Sequence, residues 1–153
     1  MFKPEDSSRI LELANRYAAF DGETSEADLF ITNYFPQGFW VAEVQNEVIG
    51  FAYGYFNEFP EDILQRWGAS KVGYVASVAV DAKYRRQGIG EVLVRRVLKE
   101  FAEAGVDLVL VDCPSESVGG REMFEKLGFG IRSVSLRLRL NQKSKKPSHQ
   151  VAS

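Results

Sequence analysis

The chain has 153 residues, a net charge of −2, and 45% hydrophobic and 26% charged residues, which is typical of a single globular domain with a sizeable core. No apolar run approaches the roughly 20 residues of a membrane-spanning helix, and the first residues show no apolar secretory segment, so we expect neither. The single cysteine, Cys113, and the single histidine, His149, disfavour disulfides, a metal site and a Ser-His-Asp hydrolase, and they favour a reducing cytoplasm.

The first half of the chain predicts helices followed by a β-hairpin. A first helix is capped by Asp6, Ser7 or Ser8, carries apolar residues at helical spacing and ends before Gly22. A hairpin turn is predicted at Asn46-Glu47, between segments rich in β-branched and aromatic residues. The further predicted ranges are a short helix at 25–34, hairpin strands at 39–45 and 48–56, and a turn of helix at 62–67.

The second half alternates strands and helices. The predicted ranges are strands at 72–80, 106–112 and 134–140, and helices at 89–104 and 117–127. A parallel strand–helix–strand unit over residues 72–112 requires a right-handed crossover. We therefore expect an α/β fold with a mixed antiparallel and parallel sheet of about six strands and helices on both faces. Residues 1–140 form one domain in this interpretation, and residues 141–153 form a polar, disordered tail.

Charge is distributed unevenly along the chain. Residues 1–62 carry twelve acids and three bases, whereas residues 126–153 carry seven bases and no acid. A uniformly basic nucleic-acid-binding protein differs from this, so we expect no nucleic acid partner. The acidic first third is either a solvated helical surface or a surface that faces a cationic partner.

The most informative stretch is VAVDAKYRRQGIG at residues 78–90, where a strand ends and the long helix begins. A helix N-terminus presents unpaired amide groups and partial positive charge, and glycines let the backbone approach a ligand. With two arginines beside them, these features predict a pyrophosphate site. The alternative is a tight turn whose glycines serve packing alone. The stretch lacks the Gly-Lys-Ser/Thr of a Walker loop and the third glycine of the dinucleotide fingerprint.

At these residues the chain resembles the GNAT superfamily of acetyl-CoA-dependent N-acetyltransferases. VAVDAKYRRQGIG is similar to motif A of that family, and SVGGREMFEKLGF at residues 117–129 is similar to motif B. The resemblance covers roughly residues 5–140. It implies that the acyl arm of acetyl-CoA lies in a V-shaped splay between the strands that end at Val80 and Asp112.

The resemblance also implies which residues bind the coenzyme. Main-chain groups of the strand end contact the pantetheine, the loop and helix start surround the pyrophosphate, and two motif B residues lie beside the arm. These positions are Val78, Ala79, Val80, Arg85, Arg86, Gln87, Gly88, Ile89, Gly90, Glu91, Ser117 and Phe124.

The catalytic residues are less defined by the resemblance. Phe124 replaces the tyrosine that protonates the leaving thiolate in most members, and Tyr74 stands where histone-type members have a catalytic glutamate. Tyr74, Glu116 and Ser117 are the catalytic candidates. Candidate bases among the surface carboxylates are Glu58, Glu61, Asp62 and Glu116. Cys113 is the nucleophile of a disfavoured acetyl-enzyme route.

The sequence therefore predicts an N-acetyltransferase that moves the acetyl group of acetyl-CoA to a primary amine by direct transfer through a tetrahedral intermediate. We expect a cationic amine acceptor, no metal and no membrane partner. A homodimer is one alternative, because two copies of the chain could pair through the last predicted strand. The alternative function is a CoA-binding module of the same fold with little or no catalysis.

Overall fold

The computed structural model describes residues 1–17, 34–113 and 118–141. The helices are α1 (Ser7–Tyr17), α2 (Glu61–Trp67), α3 (Ile89–Glu103) and α4 (Val118–Lys126). The strands are β1 (Tyr34–Val44), β2 (Glu47–Asn57), β3 (Val72–Val80) and β4 (Leu108–Val111). Within these ranges, no helix has both the length and the apolar character needed to cross a membrane.

Three predictions concern residues that the structure does not describe. The helix predicted over residues 25–34 lies outside the described ranges except at Tyr34, which begins β1 instead. The polar tail lies outside them from residue 142 onward. Glu116 and Ser117 lie in the gap before α4.

The strands form one mixed sheet in the order β1-β2-β3-β4. β2 is antiparallel to both β1 and β3, whereas β3 and β4 are parallel. Gln45 and Asn46 make the hairpin turn with φ angles of 50° and 66°, because a turn with positive φ at both central residues matches the twist of paired strands. The turn therefore lies one residue before the predicted Asn46-Glu47.

Each face of the sheet is covered by helices over its own apolar cluster. On one face the buried side chains of α1 pack on β1, β2 and β3; they are Ile10, Leu13 and Ala14, against Phe39, Phe51, Tyr53 and Ala79. On the other face α3 and α4 pack on the sheet through Leu93, Val94, Val97, Phe101 and Phe124, against Ala52 and Val75. The predicted mixed sheet with helices on both faces is confirmed.

β3 pairs with β4 over only half of its length. The parallel register joins residues 72–75 to residues 108–111. Along β2 the partner on β3 changes from Ser77, opposite Tyr53, to Val75, opposite Gly54, so Ala76 is an extra residue. A bulge bends its strand, and this one follows the last parallel pair directly. The last residues of β3 therefore extend beyond the end of β4 and form one side of the predicted splay. The described sheet has four strands, whereas about six were predicted.

The predicted last strand is wrong. Residues 129–140 form neither strand nor helix, and the apolar side chains that alternate there are 77% exposed at Val134, 92% at Leu136, 82% at Leu138 and 86% at Leu140. Alternation predicts a half-buried strand only where a sheet edge receives that strand. In the described part of this chain no edge does so.

Candidate functional site

The candidate site begins where β3 ends, at the buried residue Asp81. The Asp81 carboxylate accepts a hydrogen bond of 3.0 Å from the Lys83 amide and another of 3.0 Å from Arg9 Nη2. Its own amide donates to the Ile49 carbonyl over 2.8 Å. The hydrogen bond from the Lys83 backbone, and then the Arg9 guanidinium, lower the pKa of Asp81 despite its burial. Asp81 therefore fixes the start of the loop against α1 and β2.

The loop after Asp81 leads into α3 through two residues with left-handed backbone. Arg86 has φ 63°, and Gly88, which caps α3, has φ 77°. The first helical bond joins the Val92 amide to the Gly88 carbonyl over 3.0 Å, so the amides of Ile89, Gly90 and Glu91 have no acceptor within the helix. Three amide groups and the partial positive charge of a helix start are thus presented together, as anion binding requires.

The space above this helix start is open. A Cβ added at Gly88 would meet no atom of the described residues within 4 Å, and one added at Gly90 would lie 3.4 Å from Met123 Sδ. Arg85, Arg86, Gln87 and Gly88 are exposed, whereas Ile89, Gly90 and Glu91 are half-buried. The backbone at Gly88 is therefore open to a ligand, and a pyrophosphate fits the residues present.

Lys126 is a charged partner of the site that the sequence did not reveal. Glu91 lies in the first turn of α3, where its negative charge would oppose a bound anion. Its Oε1 atom lies 3.2 Å from Lys126 Nζ at the end of α4 and 3.9 Å from Arg95 Nη2. These cations offset the Glu91 charge, so a phosphate can approach the helix start.

The strand residues predicted to face the pantetheine lie where β3 leaves β4. Val78, Ala79 and Val80 pair with Ala52, Phe51 and Gly50 of β2, and all three lie past the last parallel pair. The side chains of Val78 and Val80 pack into the cluster under α3, whereas Ala79 belongs to the cluster under α1. The β3 edge that faces the splay therefore leads directly into the loop.

Phe124 lies in the core cluster under α3. Its ring is 8% exposed and packs edge-on against Phe129 with 5.3 Å between the centroids. Val111 and Cys113, at and after the end of β4, pack against the same cluster. The predicted position beside the splay and a plain core role both agree with this placement.

Tyr74 lies opposite Leu110 of β4 and donates its hydroxyl hydrogen bond to Asp112 Oδ2. It also stacks on Tyr55 of β2, with 5.4 Å between the ring centroids. Burial, and then the hydrogen bond to Asp112 and its charge, raise the pKa of Tyr74 well above its usual value. Burial and the Asp112 charge raise the pKa of Tyr55 as well. Both tyrosines are therefore neutral at neutral pH.

Asp112 is the residue that sequence reasoning missed as a site candidate. It is exposed, and it follows the last paired residue of β4. Nearby, the Arg132 guanidinium stands 4.5 Å from the centre of the Trp67 ring and partly counters the upward shift of the Tyr74 pKa. Asp112 thus brings a carboxylate to the same end of the splay as two aromatic hydroxyls.

The candidate bases that the structure describes are surface carboxylates. Glu58, Glu61 and Asp62 are exposed, and Asp62 forms an ion pair of 3.3 Å with Arg66. Cys113 is half-buried in the cluster under α3. In residues 1–17, 34–113 and 118–141, no group of three or more His, Cys, Asp or Glu side chains could hold a metal ion.

A second concavity lies toward the other edge of the sheet. It is an apolar cavity of about 320 Å³ between β1 and α3, in which Arg96 stacks on Trp40 at 4.1 Å. It shares Gln87 and Ile89 with the loop. The splay and this cavity therefore lie on different sides of the α3 start.

Comparison with known proteins identifies the family. The sequence profile described as Acetyltransferase (GNAT) family matches residues 7–129, which is most of the chain. The chain belongs to this family. The resemblance inferred from residues 78–90 and 117–129 is confirmed.

Individual relatives match only part of this chain. N-alpha-acetyltransferase 30 of Xenopus laevis is 39% identical over 57 residues, which are 37% of this chain and 21% of that protein. This chain thus matches about a fifth of that relative's length.

Two solved structures show the same fold. An aminoglycoside 6′-N-acetyltransferase of Acinetobacter haemolyticus has a TM-score of 0.67 at 18% identity, with 93% of this chain and 97% of that chain covered. A predicted acetyltransferase of Clostridium acetobutylicum solved with acetyl-CoA has a TM-score of 0.55 at 25% identity, with 67% of this chain and 63% of that chain covered.

Proposed function

We propose that this chain is an N-acetyltransferase that moves the acetyl group of acetyl-CoA to a primary amine by direct transfer. The observation that carries the proposal is the position of the loop and α3 start directly after the strand that leaves β4 at the bulge. An anion site and an open strand edge thus follow one another along the chain. A long substrate with a pyrophosphate at one end and a thioester at the other matches this arrangement.

In this proposal the amides of Ile89, Gly90 and Glu91 bind the pyrophosphate, and Arg85 and Arg86 add positive charge. The pantetheine arm lies along residues 76–80 of β3, which have no β4 partner. The thioester then reaches the bulge at Ala76. Amides of this strand would stabilise the oxyanion, because preorganised donors act strongly where water is excluded.

The acceptor amine would enter from the side of Tyr74 and Asp112. The ammonium group must lose one proton before its nitrogen attacks the thioester carbon. The carbon–nitrogen bond then forms and the carbon–sulfur bond breaks. The nitrogen loses a second proton to water, and the thiolate takes up a proton from water. Asp112 would attract the ammonium group and accept its proton through water. Tyr74 would orient the carboxylate, since it stays neutral while its hydroxyl donates to Asp112.

The thiolate would leave without an acid from motif B. Phe124 has no proton to give, and a thiol with a pKa near 8.5 is a fair leaving group. The predicted roles of Glu116 and Ser117 stay proposals. The reaction is proposed for the reducing cytoplasm and for a cationic acceptor, which the twelve acids of residues 1–62 would attract.

A screen of primary amines, read by thiol release from acetyl-CoA, tests the proposal. Tyr74→Phe should lower turnover on the best amine by about 10-fold to 100-fold, because it removes the hydrogen bond that positions Asp112. Tyr55→Phe is the matched control: it removes a neighbouring hydroxyl from the same stack and should stay near wild type. Thiol release that is unaffected by Tyr74→Phe would contradict the role of Tyr74.

The second candidate is a module that binds acetyl-CoA without transferring the acetyl group. The buried Phe124, which replaces the usual tyrosine, is the observation that favours it. This candidate predicts acetyl-CoA binding by calorimetry and no thiol release with any amine. The screen separates the two candidates.

A further inference from the structure

The Arg9 side chain joins α1 to the loop that follows β3. Its Nε atom donates to the Val48 carbonyl over 2.9 Å, and its Nη2 atom donates to Asp81 Oδ2 over 3.0 Å. The Arg9 side chain is 22% exposed and that of Asp81 is 11% exposed, so this ion pair is largely shielded from water. One guanidinium therefore connects α1, β2 and the start of the loop.

Arg9 also meets two exposed carboxylates. Glu12 Oε1 lies 3.1 Å from Arg9 Nη1 and Glu47 Oε1 lies 3.2 Å from Arg9 Nη2, but these two side chains are 55% and 63% exposed. Ion pairs between exposed groups contribute little to stability, whereas a buried carboxylate that loses its cation is left uncompensated. Among the carboxylates that the described part of the chain brings to Arg9, Asp81 is therefore the one that depends on it.

Asp81 determines the course of the loop up to its arginines. The Asp81 carboxylate accepts from the Lys83 amide over 3.0 Å, and the Asp81 carbonyl accepts from the Tyr84 amide over 2.9 Å, so Asp81 caps the short helical turn that follows it. Arg85, directly after that turn, folds back and donates from Nε to the Val80 carbonyl over 3.2 Å. The orientation of Asp81 therefore fixes where the arginines of the loop begin.

The backbone at Arg86 shows why both ends of the loop must be held. Its φ angle of 63° lies in the left-handed region, which is unfavourable for a residue other than glycine. Such a backbone persists only where the surrounding structure fixes it. Gly88 fixes the end of the loop at the start of α3, and Asp81 fixes its beginning. We therefore expect that release of Asp81 lets Arg86 relax to a different conformation.

We infer that Arg9 is a positioning residue for acetyl-CoA: acting through Asp81, it holds the loop in the conformation that binds the pyrophosphate, and it thereby couples α1 to coenzyme binding. Arg9 itself does not touch the coenzyme. The inference rests on the pyrophosphate site of the proposed function and adds to that site a residue of the helix that covers the other face of the sheet. Because such coupling is reciprocal, bound acetyl-CoA should in turn stabilise α1.

Loss of Arg9 should change coenzyme affinity and leave the chemical step unchanged. If the loop of Arg9→Met spends about a tenth of its time in the binding conformation, the apparent Kd of acetyl-CoA rises about tenfold. The proposed function places the thioester near Ala76 and the acceptor near Tyr74, away from the loop. Bound acetyl-CoA should therefore react at the wild-type rate, so the KM of acetyl-CoA should rise while kcat stays nearly constant.

Isothermal titration calorimetry with acetyl-CoA, steady-state kinetics and hydrogen exchange test the inference. Arg9→Met should weaken acetyl-CoA binding about tenfold and should speed the exchange of residues 81–88 in the free protein. In wild type, acetyl-CoA should slow the exchange of residues 7–17, whereas in Arg9→Met this effect should be lost. If Arg9→Met does not fold, Arg9→Lys replaces it: one charged donor remains, and the affinity should still be below that of wild type.

Three further variants separate positioning from general stability. Glu12→Gln changes an exposed partner of Arg9 and should bind acetyl-CoA as wild type does. Ile10→Val reduces the buried packing of α1 and should lower the thermal midpoint without weakening acetyl-CoA binding. The double variant Arg9→Met with Asp81→Asn should bind acetyl-CoA no more weakly than Arg9→Met alone, because the two residues act as one unit.

The outcomes distinguish this inference from the proposed function. A wild type that does not bind acetyl-CoA would overturn both. Wild-type affinity in a folded Arg9→Met or Arg9→Lys would overturn the inference alone, and so would an equal loss of affinity in Ile10→Val, since any loosening of α1 would then have the same effect. Additive losses in the double variant would mean that Arg9 does not act through Asp81.

Discussion

Replacing Gly88 by valine tests the pyrophosphate site. Gly88 has φ 77°, and a Cβ there would project into open space above the α3 start. The new side chain would occupy the space in which we place the pyrophosphate. Loss of about two charge-assisted hydrogen bonds, each contributing roughly 1.5 kcal/mol or more, weakens acetyl-CoA binding by about 100-fold.

The strain of the substitution needs a control, and the chain provides one at Gly68. Gly68 caps α2 with φ 64°, and a Cβ there also meets no atom within 4 Å in the part of the chain that the structure describes. Either valine costs at least about 1–2 kcal/mol of folding stability, because L-residues disfavour this backbone region. Gly68→Val should therefore lower the thermal midpoint as Gly88→Val does, while its acetyl-CoA affinity stays at the wild-type value.

Isothermal titration calorimetry with acetyl-CoA, alongside thermal unfolding, measures both quantities. Equal affinities in wild type and Gly88→Val would refute the pyrophosphate site. Equal losses in the two valine variants would show that strain, and not the blocked site, weakens binding.

Three further predictions concern turnover, pH and salt. If departure of the thiolate limits the rate, Phe124→Tyr should raise turnover by about tenfold with little change in acetyl-CoA affinity. Slower turnover in steady-state kinetics would mean that the added hydroxyl is left unpaired in the core. Since the pKa of Asp81 is lowered in the fold, its contribution to stability is present above about pH 4 and is lost as pH falls through the folded-state pKa. Asp81→Asn should therefore unfold more readily at neutral pH and show a shallower loss below pH 4 in urea titrations, whereas the exposed control Asp62→Asn should follow wild type. Rising ionic strength should raise the KM of the amine, and a best substrate that is neutral or anionic would contradict the cationic acceptor.

The elements that define the site could be predicted because local signals mark both of their ends. β3 has the predicted bounds. α3 begins at the predicted Ile89, since Gly88 caps it, and it ends at Glu103, two residues before Gly105. The proposed anion site follows from the same residues, because amides at a helix start need no distant partner. For this reason the loop could be located from the sequence alone.

Features that depend on pairing between distant segments could not be predicted. Asp112 meets Tyr74 only through the parallel register of β3 and β4, and Lys126 meets Glu91 only through the packing of α4 on α3. The strand predicted over residues 134–140 shows the converse. The alternation of apolar and polar residues is visible in the local sequence. Whether a sheet edge is placed to receive that strand depends on distant segments.

Mass spectrometry of a single turnover tests the central claim most directly. Wild-type protein is mixed with isotope-labelled acetyl-CoA and the best amine, and acetylated amine, free thiol and protein mass are followed together. Direct transfer predicts equal amounts of labelled amide and thiol and no mass added to the protein at any time. Binding of acetyl-CoA without either product would contradict the account and support a non-catalytic module, and a transient acetyl group on Cys113 would contradict direct transfer.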